Sequence, residues 1–300
     1  MSVNRRSFLA SATLATTGLA TIQTASSKLL AIEPVARPKN PHLKLSLAAY
    51  SLREALQKPP GTSGAMNLRG FIDYCASLGI HGAELTQYYF PKEVTDEYLF
   101  GLRRHAHLAG VDITGGAIGN KFTLDPGPKL DQQIAYTENW IAHYAKLGAP
   151  VIRVFAGKPP SGLSEDEAID RAIPLLQNAC NVAAKHGVIL AIENHDFTTK
   201  VDRLLRIVKA IDSPWFGVNF DSGNLNHSAD PYADMKRIAP YAVNAQIKVV
   251  IKAADGNQPA DLERIVAILR DAGYVGYLVL EYEEKEDPFK AIPELSLIHI

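Results

Sequence analysis

The chain has 300 residues, 47% of them hydrophobic, and a formal net charge of −1 from 31 basic and 32 acidic side chains. That length and apolar fraction supply ample core for one large domain or two ordinary ones. With no basic run beyond the N-terminus, the charge balance excludes the electrostatic footprint of a nucleic-acid-binding surface.

Asn4-Arg5-Arg6-Ser7-Phe8-Leu9 is a twin-arginine pattern, followed by a mildly apolar, Ala- and Thr-rich stretch from Leu9 to Ile22. The stretch is too short and too weakly apolar for a stable membrane span. The small residues Thr24-Ala25-Ser26 offer a cleavage point. Residues 1–26 therefore read as a Tat export signal, which predicts a periplasmic protein with no membrane attachment beyond that signal. Residues 27–42, with Pro34, Pro38 and Pro41, read as a disordered leader.

From Leu43 the chain alternates strand, turn and helix. The first strand is Leu43–Tyr50. A Pro/Gly loop leads to a helix over Asn67–Leu78, with Leu68, Phe71, Ile72, Cys75 and Leu78 on one face and Gly79 as its stop. The second strand is Ile80–Leu85, the second helix Val94–Ala109, and the third strand Val111–Ile118. Leu130–Leu147 reads as a long helix closed by Gly148, and Val151–Ala156 as the fourth strand. Ser164 caps a helix that runs to His186, with Glu165, Asp166 and Glu167 favouring its N-terminal dipole. Gly187 stops it, and the fifth strand follows in Val188-Ile-Leu-Ala-Ile-Glu193. The beat continues through a helix at Val201–Ile211, a strand at Phe216–Asp221 and a helix at Tyr232–Ile238. It closes with a strand at Val243–Val249, a helix at Asp261–Ala272 and a strand at Tyr277–Glu281. Cys75 and Cys180 both fall in helical segments and read as small buried side chains.

Eight β/α beats over roughly 240 residues predict a single-domain (β/α)₈ TIM barrel over residues 43–294. An open doubly wound sheet is the competing fold. It would need a Gly-rich phosphate turn after the first strand, and Leu47-Ala-Ala-Tyr-Ser-Leu-Arg-Glu54 supplies none. The closing helix is expected to be truncated, because Pro293 falls where it should run. Residues 295–300, Leu-Ser-Leu-Ile-His-Ile, lack an amphipathic pattern and read as a non-native tail, such as a translated adapter sequence.

In such a barrel alternate strand residues point inward, and chemistry sits at the C-terminal strand ends. Glu193 and Asp221 close their strands, and Gln246 and Glu281 lie at or near the ends of theirs. The spacings of 28, 25 and 35 residues each amount to about one βα unit. Two readings are open. In one, these four side chains hold a metal, and three carboxylates with one amide oxygen favour Mn²⁺ or Mg²⁺ over Zn²⁺, with Co²⁺ also admissible. In the other, the carboxylates form salt bridges with the inward-facing Arg153 and Lys248. Glu84, Asn120, Asn194, His195, Asn224 and His227 gather at the same end as candidate substrate contacts. His195 is readable either as a proton shuttle or as a hydrogen-bonding support, and His227 as a solvated loop residue.

At these residues the chain resembles the xylose-isomerase-like TIM-barrel family, the sugar phosphate isomerase/epimerase group. The resemblance covers about Leu43 to Glu283. It is carried by GIHGAEL, AAKHGVILAIENH, FGVNFDSGN, QIKV and LVLEYE. It implies a divalent metal held at Glu193, Asp221, Gln246 and Glu281, although Gln246 stands where the family has histidine. Asn224 likewise ends Asp221-Ser-Gly-Asn224 where the family has D-x-x-H. The implied chemistry is proton abstraction beside a sugar carbonyl through an enediolate, giving isomerisation or epimerisation. Glu193 and Glu281 would be the bases and Lys248 and Arg153 the groups that polarise substrate oxygens. Export favours free sugars or glycosides over phosphosugars, and keeps open a lyase on keto-glycosides that uses the same enediolate. A non-catalytic sugar-binding barrel is a further alternative. An endonuclease-IV-like DNA hydrolase would need more histidine ligands and a basic groove, and neither is present. The family often associates, so a homo-oligomer is compatible with the sequence.

Overall fold

The computed structural model describes residues 32–37 and 42–296. In chain order its strands and α-helices are β1 (Leu43–Ala48), α1 (Arg53–Gln57), α2 (Leu68–Ser77), β2 (Gly82–Thr86), α3 (Asp96–Leu108), β3 (Asp112–Ala117), α4 (Pro128–Leu147), β4 (Val151–Val154), α5 (Glu165–His186), β5 (Ile189–Glu193), α6 (Val201–Ala210), β6 (Phe216–Asp221), α7 (Pro231–Ile238), β7 (Ala242–Ile247), β8 (Val250–Ala253), β9 (Gly256–Pro259), α8 (Leu262–Asp271), β10 (Gly276–Leu280) and α9 (Pro288–Ser296). Eight parallel strands close a barrel in the order β1-β10-β7-β6-β5-β4-β3-β2, and β8 and β9 form a separate antiparallel pair. The barrel is the one expected from the eight sequence beats.

Local chemistry explains the elements. Ser164 and Glu167 form a reciprocal capping box at the start of α5, and Gly187, at φ 68°, ends that helix in the left-handed region. Such a cap is worth about 1 kcal/mol. Between these signals Ala168, Ile169, Ala172, Leu176, Ala179, Cys180 and Ala183 are buried at helical spacing against the sheet. In β6 the parity is plain: Phe216, Val218 and Phe220 face the outer helices, while Asn219 and Asp221 point inward, and all five are at most 1% exposed. Each of those apolar side chains contributes roughly 1.5–3 kcal/mol by burial. Cys75 and Cys180 are buried and free, as read from the sequence. Among the described residues no helix is long and apolar enough to cross a membrane.

Three expectations are corrected. The closing helix is present: α9 spans Pro288–Ser296 with Pro293 inside it, and Ala291 and Ile292 are buried against the core. Apolar packing holds that short helix in place, so Leu295 belongs to it, while 297–300 lie outside the described residues. Part of the leader is ordered. Val35 N–H donates to the Pro240 carbonyl at 3.0 Å, and the Arg37 guanidinium lies 5.0 Å over the Tyr274 ring, at the N-terminal end of the barrel. The export signal expected over residues 1–26 falls outside the described residues. Finally, the strand expected over Val243–Val249 ends at Ile247, and the chain then turns into the β8–β9 hairpin around Asp255-Gly256.

Candidate functional site

The polar residues of this chain collect at the C-terminal mouth of the barrel and in the layer just below it. Each arrives there by strand parity. Glu193 ends the apolar β5, Asp221 ends β6, Lys248 follows β7, Glu281 follows β10, and Arg153 points inward from β4. All five are at most 7% exposed.

Lys248 Nζ is the centre of the cluster. It lies 2.9 Å from Asp221 Oδ2, 3.1 Å from Glu281 Oε2 and 3.0 Å from Glu283 Oε1. It donates a hydrogen bond to Glu283 Oε1, and Asp221 and Glu281 are charge contacts at similar distance. Burial alone would lower the Lys248 pKa, but Asp221, Glu281, Glu283 and Glu193 together raise it well above its ordinary value. Glu193 Oε2 lies 3.2 Å from Arg153 Nε, a charge contact without hydrogen-bond alignment, and Arg153 Nη1 is buried with no hydrogen-bond partner. Burial pushes the Glu193 carboxyl up to about 7 against the pull of Arg153. Burial raises Glu281 as well, against Lys248.

The Asp221-Ser222-Gly223-Asn224 turn is built around Asp221. Its Oδ1 accepts from the backbone N–H groups of Gly223 at 2.7 Å and Asn224 at 3.1 Å, and its Oδ2 accepts from Asn224 Nδ2 at 2.8 Å. Such an Asx turn satisfies short polar loops locally. Asn194 clamps it from β5: its Oδ1 accepts from Asp221 N–H at 3.0 Å, and its Nδ2 donates to the Asp221 and Asn224 carbonyls at 2.8 and 3.0 Å. Asn224 Nδ2 also reaches Glu193 Oε1 at 3.2 Å.

Gln246 faces a different layer. Its Oε1 accepts from Asn219 Nδ2 at 2.6 Å, and its Nε2 donates to Glu84 Oε1 at 2.7 Å. Asn244 Nδ2 donates to Glu84 Oε2 at 2.8 Å. With Glu84 ionised it can only accept, so both amide nitrogens turn toward it. Burial pushes Glu84, which is sealed below the mouth, up to about 7.

A cavity of about 370 Å³ opens above Lys248, within the range of small-molecule sites. Arg153, Glu193, Asn224, Lys248 and Glu281 line it, as the sequence places them, and His195 stands at its edge. The His195 ring packs 4.5 Å from Phe155, whose face also carries the Arg153 guanidinium at 4.0 Å. Burial would lower the His195 pKa, but its contact with Asp196 raises it. Four expected contacts lie elsewhere, Asn194 among them, buried and spent on the Asp221–Asn224 turn. Asn120 is spent on the backbone of Phe155, accepting from its N–H at 2.8 Å and donating to its carbonyl at 2.7 Å. Glu84 sits in the layer beneath, and His227 is exposed outside the cavity.

The cavity also includes Tyr50, Lys252 and Glu283, which sequence reasoning missed, and Tyr88, one of the loop aromatics after β2. Glu283 had a signal: it shares the parity of Glu281, two residues earlier. Lys252 had none, because the β8–β9 hairpin brings it in. The hairpin is fastened to the Asp221–Asn224 turn by Lys252 N–H donating to the Gly223 carbonyl at 2.8 Å. Lys252 Nζ then meets Glu283 Oε2 at 3.3 Å.

The expected ligand set does not fit a divalent ion in this arrangement. Asp221 and Glu281 converge on an ammonium, both ends of the Gln246 amide are engaged in the layer below, and both Asp221 oxygens already accept several donors. Among the described residues no group of three or more His, Cys, Asp or Glu side chains is arranged to hold a metal.

A family model described as xylose isomerase-like TIM barrel matches residues 72–297. The chain is similar in fold to the IolI protein with a binding zinc atom, with TM-score 0.67, 16% identity, and 84% of this chain and 93% of that one covered. It is similar to D-psicose 3-epimerase in the presence of D-fructose, with TM-score 0.65, 18% identity, and 84% and 89% covered. It is also similar to 3-keto-D-glucoside 4-epimerase, YcjR, from E. coli, with TM-score 0.63, 16% identity, and 86% and 98% covered. No curated protein sequence matches the chain.

Proposed function

The chain belongs to the xylose isomerase-like TIM-barrel family, and on that premise we propose that it is an enzyme that moves a proton beside the carbonyl of a sugar or glycoside, as an isomerase or epimerase. One observation carries the reading: Glu193 and Glu281 face one cavity together with Arg153 and Lys248. A carboxylate raised toward neutrality is a competent base near pH 7. Opposite it, buried cationic donors stabilise the oxyanion that forms.

The steps balance without an added reactant. Glu193 or Glu281 takes the proton from the carbon next to the carbonyl, and the C–H electron pair moves to the carbonyl oxygen. Arg153 and Lys248, which line the cavity, would donate to that oxygen. Returning the proton to the former carbonyl carbon, while the hydroxyl proton of the neighbouring carbon passes to the old carbonyl oxygen, isomerises the sugar; delivery of a proton by the other carboxyl to the opposite face of the same carbon epimerises it. Asn224 holds Glu193, and the His195 imidazole stands at the rim as a proton carrier or substrate contact. The likeness to a keto-glucoside epimerase supports keto-glycosides within the substrate class. There the same enediolate could also expel the neighbouring alkoxide, which would make the enzyme a lyase. The twin-arginine pattern supports free sugars or glycosides met outside the cytoplasm.

The test is proton exchange in D₂O, followed by NMR over a panel of free aldoses, ketoses and 3-keto-glycosides. Deuterium should enter at the carbon beside the carbonyl of at least one substrate. Release of a free aglycone in the same tubes would identify the lyase. No exchange across the panel would overturn the proposal in favour of a binding barrel.

A further inference from the structure

We infer that Lys248 is the built-in cation of this site: its ammonium takes the place among the strand-end carboxylates that a divalent ion would need, so the centre operates without one. The inference rests on the proposed proton-transfer site but makes its own claim about metal.

The place is taken geometrically. Lys248 Nζ is within 3.1 Å of Asp221, Glu281 and Glu283, hydrogen-bonded to Glu283 and in ion-pair contact with the other two. A divalent ion bound by Asp221 and Glu281 would have to expel a side chain that is 5% exposed. It would also compete with Asn224 Nδ2, which already donates to Asp221 Oδ2 at 2.8 Å.

The loop is shaped for the lysine. Gly223 has no side chain where the Lys248 stem passes, and a Cβ there would lie 2.5 Å from Lys248 Cδ and 3.0 Å from its Cβ. Ser222 Oγ accepts from Lys248 N–H at 2.8 Å, so the turn also fixes the lysine backbone. A turn built only to present Asp221 to a metal would need neither feature.

The charges agree. Arg153 meets Glu193, and Lys248 meets Asp221, Glu281 and Glu283, so each of these carboxylates already has a cationic side chain beside it. The chemistry agrees as well, because an ammonium donates directly to a developing oxyanion. Glu283 is the partner a substrate oxygen would replace. Its side chain is the most exposed of the three, at 24%, and Lys252 also holds it.

The test uses the full purified chain. Wild type and Lys248→Ala are extensively dialysed against EDTA, then titrated with MnCl₂, ZnCl₂ and MgCl₂, with calorimetry, metal analysis and thermal melting as readouts. Wild type should hold no stoichiometric metal and show no metal-dependent rise in Tm. Lys248→Ala, which opens the carboxylate cluster, should take up one Mn²⁺ or Zn²⁺ per chain and melt higher in its presence. Stoichiometric binding by wild type with a rise in Tm overturns the inference, and so does a folded Lys248→Ala that is indifferent to all three metals. If Lys248→Ala does not fold, the wild-type titration decides alone. Exchange in D₂O separates the two claims. If it is abolished by EDTA and restored by Mn²⁺, the inference fails while the proposed function stands. If no sugar exchanges, the function fails and the titration still decides on the metal.

Discussion

Lys248 Nζ and Asp221 Oδ2 meet at 2.9 Å with both side chains sealed from solvent. A buried pair of this kind adds little over a well-packed apolar pair, but removing one partner strands the other charge. Lys248→Met leaves Asp221, Glu281 and Glu283 without their shared cation. It should cost about 3–5 kcal/mol in urea-monitored unfolding. A loss under about 1 kcal/mol would show that the carboxylates find other partners.

Gly223→Ala tests the slot through which Lys248 passes. The added methyl would sit 2.5 Å from Lys248 Cδ and 3.0 Å from the Val250 carbonyl, so the buried stem or the β8–β9 hairpin must shift. Overpacking of this sort costs about 1–3 kcal/mol. The substitution should lower kcat more than it raises KM, because it displaces the cation and leaves the outer cavity wall intact.

Asn194→Ala removes the clamp between β5 and the Asp221 turn. It strands Asp221 N–H and two carbonyls that Asn194 now satisfies. Each unsatisfied buried group costs about 1–3 kcal/mol, so chemical denaturation should show a loss of roughly 2 kcal/mol or more. Asn194→Asp keeps the acceptor for Asp221 N–H but loses the donor, and should recover only part of that stability.

Glu84 gives the fold a pH dependence. Its carboxyl is raised by burial from 4.5 to about 7, so between those values the folded chain keeps a proton that the unfolded chain has released. The folded state binds more protons there, and stability therefore falls as pH rises from about 4.5 to about 7 and is flat above. Glu84 alone accounts for a fall of at most about 3 kcal/mol. Glu84→Gln should reduce that slope in denaturation measured at several pH values and leave the share of Glu193, raised over the same range, and an unchanged slope would show that Glu84 contributes none of it.

The barrel was legible because each strand is an apolar run with inward polar positions of fixed parity and each long helix carries its own stop, as at Gly148 and Gly187. Parity also delivered Glu193, Asp221, Glu281, Arg153 and Lys248 to the mouth. It could not say which side chains would bond. Gln246 has the right parity and pairs with Asp221 in the β6–β7 register, yet its amide is drawn down to Glu84 and Asn219 because those buried groups need partners. Lys248, two residues on and longer, reaches the cluster instead, which is the salt-bridge arrangement the sequence left open beside the metal reading. The β8–β9 hairpin was missed because the strand expected over Val243–Val249 runs on past Ile247 and the stretch from Val250 to Pro259 carries no clean alternation of apolar and polar residues.

In the proposed mechanism Glu193 works in a proton-transfer site whose cation is Lys248. The most direct measurement is deuterium incorporation beside the carbonyl of the best sugar or 3-keto-glycoside, by EDTA-treated wild type and by Glu193→Gln side by side. The account predicts exchange by metal-free wild type and a loss of roughly 10²-fold or more in Glu193→Gln. Exchange that is undiminished in Glu193→Gln, or absent from wild type across the panel, would contradict it.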